Sequence, residues 1–274
     1  MQRISDFLKK SGKKIGLVPT MGYLHAGHSS LIREAKKICD ITVVSVFVNP
    51  AQFAPTEDFK AYPRDFQRDI EILEANNVDY LFYPNVNEIY PQNFQSYVEV
   101  QKLSNILEGE FRPFHFKGVT TIVSILFNSV KPNFAFFGRK DAQQAAVIKR
   151  MVNDLKFDIN IVVCPIIREP DGLALSSRNV YLNSNERKDS LVLINTLRMG
   201  EDLVKKGERV VKKVSPLLED NVAKIQSAKL DYIEFVNSGT FKPVEMLEEG
   251  NEYYILIACR IGKVRLIDNL IIKI

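Results

Sequence analysis

Hydrophobic and polar positions in the first 168 residues alternate between strand-like and helix-like patterns. Apolar, β-branched runs predict strands, and apolar residues recurring every three to four positions predict helices. The predicted strands are 14–19, 41–48, 80–83, 133–137 and 159–167. The predicted helices are 28–39, 66–76, 119–130 and 141–155. Strands separated by helices of this length are typical of βαβ units, so we expect an α/β fold with a parallel sheet.

The last hundred residues follow a different pattern. Two helices are predicted at 185–206 and 210–228, followed by strands at 231–236, 253–260 and 263–268. Helices followed by strands joined through short turns favour a small α+β domain with an antiparallel sheet. The stretch REPDG at 168–172 is rich in Pro, Asp and Gly, which mark loops. We therefore expect two domains, 1–168 and 169–274.

Composition narrows the class of protein without indicating its chemistry. The chain has 274 residues, 46% of them hydrophobic, and a net charge of +4. No apolar run reaches the ~18–20 residues that span a bilayer, and no secretory signal is visible. The small charge and the lack of a dense basic block argue against nucleic acid. Cys39, Cys164 and Cys259 form no cluster, so we expect a reduced, cytoplasmic protein rather than a disulfide or zinc scaffold.

Neither G-x-G-x-x-G nor the P-loop motif follows the first predicted strand. The segment there is PTMGYLHAGH, residues 19–28, and a helix is predicted to begin near His28. Gly22 and Gly27 permit close backbone approach to a ligand, and a helix N-terminus favours an anion. His25 and His28 can donate hydrogen bonds to a phosphoryl oxygen. The other interpretations are a metal pair, for which no nearby ligand pattern exists, or two surface histidines, so we favour phosphate chemistry.

Six stretches of the chain carry a family resemblance. They are PTMGYLHAGH (19–28), FVNPAQF (47–53), YPRD (62–65), FFGRKDAQQ (136–144), DGLALSSRN (171–179) and RLIDN (265–269). In this order they resemble the pantothenate synthetase (pantoate–β-alanine ligase) family over nearly the whole chain. The histidine turn alone would indicate only the wider nucleotidyltransferase group, which includes class I tRNA synthetases.

The resemblance implies a fold, a reaction and a set of partners. Residues 1–168 would form a Rossmann-like parallel-sheet nucleotidyltransferase domain that binds ATP and pantoate, and 169–274 a smaller α+β lid domain. The reaction would condense pantoate with β-alanine through a pantoyl adenylate and release AMP and pyrophosphate. ATP would act with Mg²⁺, and the partners would be these small molecules, not nucleic acid or a membrane. The resemblance also implies a cytoplasmic homodimer.

The resemblance also assigns site residues. Those expected to bind ATP are Met21, Gly22, Tyr23, Leu24, His25, Ala26, Gly27, His28, Gly138, Arg139, Lys140, Asp141, Ile167, Leu175, Ser176, Ser177 and Arg178. Those expected to bind pantoate are Gln52 and Gln144, with Gln52 also near β-alanine. Arg139 and Ala142 depart from the family pattern GEKDYQQ, so Arg139 either contacts phosphate or points to solvent.

The roles expected from side-chain chemistry can be compared with those that the family resemblance implies. The family makes His28 a proton donor, whereas the residues themselves favour an electrostatic role shared with His25. Amides suit pantoate because each both donates and accepts. Lys140 offers a point charge to phosphate, and Asp141 either accepts from a ribose hydroxyl or caps the next helix.

The second domain is expected to supply the remaining phosphate ligands. Ser176 and Ser177 can donate to the β- and γ-phosphates, and Arg178 can neutralise the departing pyrophosphate. Closure of this loop over ATP would exclude water from the acyl adenylate. A plain surface turn is the alternative interpretation.

Several assignments stay open. Metal ligands are unknown, because Asp65 and Asp69 are expected to lie on a solvated helix face. His115 lies in a stretch, RPFHFKGV, that matches the family, but no role is apparent. Two other functions are considered: a nucleotidyltransferase that adenylylates a phosphate ester, against which FVNPAQF argues, and a nucleotide- or RNA-binding module without chemistry. Retention of His25, His28, Lys140 and Arg178 argues against the second.

Overall fold

The segment ITVVSV forms strand β2 (Ile41–Val46), which is buried at every position, as expected for a strand covered on both faces. The computed structural model of the protein describes residues 1–55 and 57–274. These divide into two compact units, Met1–Ile167 and Arg168–Ile274. Each unit has its own sheet and its own hydrophobic core.

The described part of the first unit contains the five strands and four helices that the hydrophobic pattern predicts, in the predicted order, together with three helices that it did not predict, at Gln2–Lys10, Val86–Ile89 and Glu108–Phe111. Its elements are α1 (Gln2–Lys10), β1 (Ile15–Thr20), α2 (Ala26–Ile38), β2, α3 (Phe66–Ala75), β3 (Tyr80–Phe82), α4 (Val86–Ile89), α5 (Glu108–Phe111), α6 (His115–Val130), β4 (Phe134–Gly138), α7 (Ala142–Leu155) and β5 (Asn160–Cys164). Short 3₁₀ turns follow β2 at Pro50–Gln52 and β4 at Arg139–Asp141.

The strands pair in parallel in the order β3-β2-β1-β4-β5. The chain therefore builds the sheet outward from β1 to β3, then returns to place β4 on the other side of β1. This reversal makes β1 and β4 neighbours at a topological switch point, and the carboxyl ends of strands at such a point form a ligand-binding crevice. The expected α/β class with a parallel sheet is confirmed.

The two faces of the sheet bury alternate residues of each strand. Leu17 of β1 packs with α1, α6 and α7 in one apolar cluster. The next residue, Val18, packs with Leu31 and Ile32 of α2 on the opposite face. This alternation follows from the two-residue period of a strand.

The second unit contains three helices and an antiparallel sheet within its described residues. Its elements are α8 (Ser184–Asp189), α9 (Val192–Lys205), α10 (Val211–Ala223), β6 (Ala228–Asn237), β7 (Glu252–Ile261) and β8 (Val264–Lys273). The strands pair in the order β6-β7-β8, which confirms the small α+β architecture. The prediction of a single helix over 185–206 is wrong. It is divided near Ser190, whose hydroxyl donates to the carbonyl of Arg187 and competes with the helix hydrogen bonds.

Among the boundaries in the first unit that differ from the prediction, three concern candidate site residues. α2 begins at Ala26, so His28 lies inside its first turn rather than at its start. α6 begins at His115 rather than Val119, because Phe114 adopts a left-handed conformation immediately before it. β5 ends at Cys164, so Ile167 lies beyond the strand. Such boundaries depend on caps and backbone dihedrals that apolar periodicity does not report.

No helix in the described part of the chain is long and apolar enough to cross a membrane. Cys39, Cys164 and Cys259 are buried thiols without a disulfide partner among the described residues. Burial raises the pKa of each thiol to about 11, which keeps the reactive thiolate form rare at neutral pH.

Candidate active site

The turn between β1 and α2 is organised by its two histidines. His25 is the N-cap residue of α2, and its Nδ1 atom accepts the backbone N–H of Gly27 at 3.1 Å. His28 returns the bond, since its Nδ1 atom accepts the backbone N–H of His25 at 3.2 Å. The ring centroids lie 4.1 Å apart. The sequence thus places two imidazoles at the start of a helix whose first turn has no acidic residue.

These hydrogen bonds determine where the imidazole protons are. A backbone N–H only donates, so both Nδ1 atoms are unprotonated and each neutral ring carries its proton on Nε2. Burial lowers the pKa of His28 to about 3, with further lowering by the charges of His25 and Lys140. Burial likewise lowers the pKa of His25 to about 4, assisted by Lys140 and Arg68. Both rings are therefore neutral Nε2–H donors at neutral pH.

A buried carboxylate on α3 fixes the same turn. Asp69 accepts the backbone N–H of Tyr23 at 2.9 Å and that of Leu24 at 2.6 Å. Gly22 has a φ of +80°, and a Cβ there would lie 2.9 Å from the Asp69 carboxylate. Glycine suits this position because it adopts the left-handed backbone conformation readily and has no Cβ to crowd that carboxylate. Burial raises the pKa of Asp69, although the two N–H donors oppose the shift.

The expectation that Asp65 and Asp69 share a solvated helix face is wrong for Asp69. Asp69 is 2% exposed, whereas Asp65 is exposed and caps α3 by accepting the N–H of Arg68. Sequence reasoning missed Asp69, although its place four residues before the buried Leu73 puts both side chains on one helix face.

The turn after β4 brings a lysine to the histidine pair. Lys140 and Asp141 lie in the 3₁₀ turn that follows Gly138, and Lys140 acts electrostatically on both imidazoles. Asp141 is the N-cap residue of α7 but makes no side-chain cap hydrogen bond, so the capping interpretation does not account for its carboxylate. Arg139 is half-buried in the same turn and does not simply project into solvent.

The turn after β2 places Gln52 against the histidine segment. Gln52 is buried, and its Nε2 atom donates to the Met21 sulfur at 2.8 Å. Its Oε1 atom accepts from Asn49 Nδ2, and Asn49 Oδ1 accepts the hydroxyl of Tyr90 at 2.7 Å. The expected ATP-site residue Met21 and the expected pantoate-site residue Gln52 therefore lie in direct contact.

The two adjacent glutamines of α7 have different roles. Gln143 is buried and holds an irregular segment, because its Nε2 donates to the carbonyls of Leu103 and Ile106 and its Oε1 accepts the N–H of Glu108. Gln144 lies in the first turn of α7 and is half-buried. Within residues 1–55 and 57–274, its amide makes no hydrogen bond. A ligand can therefore use both its donor and acceptor atoms.

His115 lies at the first position of α6, where the structure shows contacts that the sequence did not indicate. It is buried, its Nδ1 lies 2.9 Å from the backbone carbonyl oxygen of Gln52, and its Nε2 lies 3.2 Å from Arg112 Nη1. Burial and the Arg112 charge lower its pKa to about 4. His115 thus contacts the segment that carries Gln52.

In the second unit, Leu175–Arg178 form the start of a tight turn. Ser176 caps the 3₁₀ turn Ser177–Tyr181 by accepting the N–H of Arg178 at 3.3 Å, and Ser177 is buried. The loop before it is anchored by Arg168, which donates to both carboxylate oxygens of Asp268 at 2.6 and 2.9 Å. The RLIDN stretch therefore supports the conformation of this loop, and the assignment of Ser176, Ser177 and Arg178 to phosphate binding stays a prediction.

No group of three or more His, Cys, Asp or Glu side chains in the described ranges could hold a metal ion. The residues near the histidine turn instead include a cationic group, Lys140, and an amide, Gln52. Such groups suit phosphate and carboxylate oxygens better than they suit a divalent cation.

The chain is similar to known proteins over its whole length or nearly so. A family model described as pantoate-beta-alanine ligase matches residues 1–271. The chain is 53% identical to the pantothenate synthetase of Caldicellulosiruptor saccharolyticus, covering 100% of this chain and 97% of that relative. It is 42% identical to the pantothenate synthetase of Thermus thermophilus, whose crystal structure matches with a TM-score of 0.91 over 97% of this chain and 96% of that one.

A further crystal structure is of pantoate-beta-alanine ligase from Francisella tularensis, complexed with beta-gamma ATP and beta-alanine. That protein is 37% identical, with a TM-score of 0.78 over 98% of this chain and 94% of its own.

Proposed function

The chain belongs to the pantoate–β-alanine ligase family, and from that membership we propose that it condenses pantoate with β-alanine through a pantoyl adenylate, using ATP and releasing AMP and pyrophosphate. The observation that carries the proposal is the contact between the histidine turn and the amide cluster. Met21, in the turn with His25 and His28, touches Gln52. In this proposal, the site for the polyphosphate and the site for the hydroxylated carboxylate are therefore contiguous.

In the proposed first step, a carboxylate oxygen of pantoate attacks the α-phosphorus of ATP. The bond from that phosphorus to the oxygen bridging to the β-phosphate breaks, and pyrophosphate leaves with its electron pair. Negative charge accumulates on the phosphoryl oxygens. The Nε2–H groups of His25 and His28, the N-terminus of α2 and the ammonium group of Lys140 stabilise that charge.

The histidines act in this scheme as hydrogen-bond donors rather than as acids. Their pKa values of about 4 and 3 leave them neutral at physiological pH in the ligand-free protein. A neutral ring still donates from Nε2, and no proton has to be transferred when a carboxylate attacks a phosphate. The electrostatic role inferred from the residues therefore fits better than a proton-donor role for His28.

In the second step, the amine of β-alanine attacks the acyl carbon of the adenylate. The C–O bond to AMP breaks, the amide C–N bond forms, and the amine nitrogen loses its proton to solvent. Gln52 and Gln144 hold the pantoyl hydroxyls and carbonyl, with Gln52 also near β-alanine. The relative from Francisella tularensis that was crystallised with beta-gamma ATP and beta-alanine supports these substrate classes.

Mg²⁺ enters this proposal as part of the ATP complex. Mg²⁺ keeps several water ligands and binds substrate phosphates with few protein groups, which suits a site rich in lysine, histidine and amides. The proposal also retains Ser176, Ser177 and Arg178 as ligands of the β- and γ-phosphates. A homodimer is part of the proposal too, and the mass of the protein in solution, measured by light scattering, tests it against a monomer of 31.3 kDa.

Pyrophosphate–ATP exchange tests the reaction itself. We expect labelled pyrophosphate to enter ATP only when pantoate is present, and AMP to accumulate when β-alanine is added. β-Alanine without pantoate is the matched control and should support neither reaction. Exchange driven by a phosphate monoester instead of pantoate would identify the nucleotidyltransferase alternative. ATP binding without any turnover would identify a binding module.

A further inference from the structure

The backbone carbonyl of Gln52 is held by two side chains from a distant part of the sequence. His115 Nδ1 lies 2.9 Å from this oxygen and Arg112 Nη2 lies 3.4 Å from it. The oxygen can only accept, so His115 must carry its proton on Nδ1. His115 is therefore the opposite tautomer to His25 and His28.

Arg112 sets that tautomer from the other side of the ring. Its Nη1 atom lies 3.2 Å from His115 Nε2, and a guanidinium only donates, so Nε2 accepts and carries no proton. Glu57 orients Arg112 in turn, with carboxylate oxygens 2.6 and 3.0 Å from Nε and Nη2. The order of donors and acceptors thus runs from Glu57 through Arg112 and His115 to the carbonyl of Gln52.

Close backbone packing reinforces the same contact. Gly118 lies one turn further along α6, and a Cβ at that position would lie 2.2 Å from the carbonyl oxygen of Ala51 and 2.6 Å from the N atom of Gln52. These are backbone atoms that cannot rotate away. The carbonyl of Gly118 also accepts from Asn49 Nδ2 at 3.1 Å. The 3₁₀ turn Pro50–Gln52 is therefore pressed against the first turns of α6.

We propose that His115, fixed by Arg112 and Glu57, is a positioning residue that sets the orientation of Gln52 toward pantoate and β-alanine. This inference rests on the proposed function, in which Gln52 touches both substrates. The side-chain amide of Gln52 is already held by Met21 and Asn49. The His115 bond removes the remaining freedom of its peptide group, so the amide needs no reorganisation when substrate arrives.

Nitrogen NMR of ¹⁵N-histidine-labelled protein tests the geometry without reference to any substrate. The chain has three histidines, so three ring patterns are expected at neutral pH. We expect two Nε2–H rings, from His25 and His28, and one Nδ1–H ring that disappears in His115→Asn. The Arg112→Gln variant should mix the tautomers of that third ring, because an amide can accept from Nε2–H as well as donate to an unprotonated Nε2. Three rings of one tautomer would overturn the proposal.

Two variants separate the bonds of His115. In His115→Asn the amide nitrogen takes the place of Nδ1 and still donates to Gln52, whereas in His115→Gln the amide oxygen takes the place of Nε2 and faces Arg112. Loss of one such hydrogen bond corresponds to a change of about 10-fold in a binding constant. We expect the KM for pantoate to rise about 10-fold in His115→Gln and only about 2-fold in His115→Asn, with the KM for ATP nearly unchanged in both.

A purely structural role for His115 predicts a different result. It would lower the melting temperature and the active fraction of both variants without separating the two KM values, and that result would overturn the proposal. Gly118→Ala should raise the KM for pantoate as His115→Gln does, whereas Arg150→Lys, in an exposed pair with Asp154, should change nothing. Absence of pantoate-dependent exchange in the unaltered protein would refute the proposed function. The NMR result would still test the hydrogen-bond geometry of His115 independently.

Discussion

Asp69 accepts the backbone N–H of Leu24 at 2.6 Å, across 45 positions of sequence. The bond joins the third helix of the chain to the turn that carries His25 and His28. Because the carboxylate also accepts from Tyr23, one side chain from α3 fixes two successive peptide groups of the turn. The position of the imidazoles therefore depends on a residue that lies outside the histidine motif.

Replacing Asp69 by Asn should loosen the turn. The amide has one acceptor oxygen where the carboxylate has two, and charge-assisted hydrogen bonds contribute about 1.5–3 kcal/mol each. We expect adenylation, measured as pyrophosphate exchange, to fall about 10-fold or more, and the free energy of unfolding to fall by about 1–2 kcal/mol. Asp65→Asn is the control, since Asn caps a helix as well as Asp does. Equal effects of the two substitutions would contradict the assigned role.

Replacing His28 by Asn should separate its two functions. Asn Oδ1 can take the place of Nδ1 and accept the N–H of His25, so the helix cap is kept while the Nε2–H donor is lost. Loss of one donor to a developing oxyanion costs about 100- to 1,000-fold in rate. We expect a loss of that size in pyrophosphate exchange with a melting temperature close to that of the unaltered protein. Near-normal exchange would remove His28 from the mechanism.

The histidines should also make stability depend on pH. In the unfolded chain each ring protonates near pH 6.5, whereas in the folded protein the pKa values of His25, His28 and His115 are about 4, 3 and 4. Between these limits the unfolded chain binds more protons, so the free energy of unfolding decreases as pH falls from about 6.5 to about 4. Urea unfolding across this range measures the slope. The variant carrying His28→Asn and His115→Asn should have a shallower slope, and an unchanged slope would contradict the assignment.

Breaking the Arg168–Asp268 pair should destabilise the second unit. The Asp268 side chain is 2% exposed, and removal of one partner from a buried pair costs about 3–5 kcal/mol. We expect Asp268→Asn to lower the free energy of unfolding by about 3 kcal/mol, measured by denaturant titration. Arg150→Ala, which breaks an exposed pair, should change it by less than about 1 kcal/mol. A similar small loss in both variants would show that the buried pair is not important for stability.

Phe114 offers a stabilising substitution. It has a φ of +67°, a left-handed conformation that costs a residue with a side chain about 1 kcal/mol, and the residue is 79% exposed. We expect Phe114→Gly to raise the free energy of unfolding by about 0.5–1 kcal/mol in chemical denaturation. The same change at Phe7, exposed within α1, should lower it by a similar amount. A loss at both positions would show that the ring of Phe114 makes a contribution that offsets its backbone conformation.

The hydrophobic pattern predicted the strands and helices of the parallel sheet because each is encoded locally, as in the buried run of β2. The His25–His28 turn was also predicted at the carboxyl end of β1, since its glycines and histidines are adjacent in sequence. Asp69 shows where local encoding stops. Its spacing from Leu73 indicates a buried face, but nothing in the spacing names the Tyr23 and Leu24 N–H groups as its partners.

By itself, then, the sequence determined the class of fold, the family resemblance and the residues available for chemistry. Tertiary structure alone decided the protonation site of His115, the contact of Gln52 with Met21 and the hydrogen bond between His115 and the Gln52 carbonyl. The physical reason is that these hydrogen bonds join segments up to 63 positions apart. Parallel strand pairing and helix packing set which donors meet which acceptors, and this information is not contained in any single stretch of the chain.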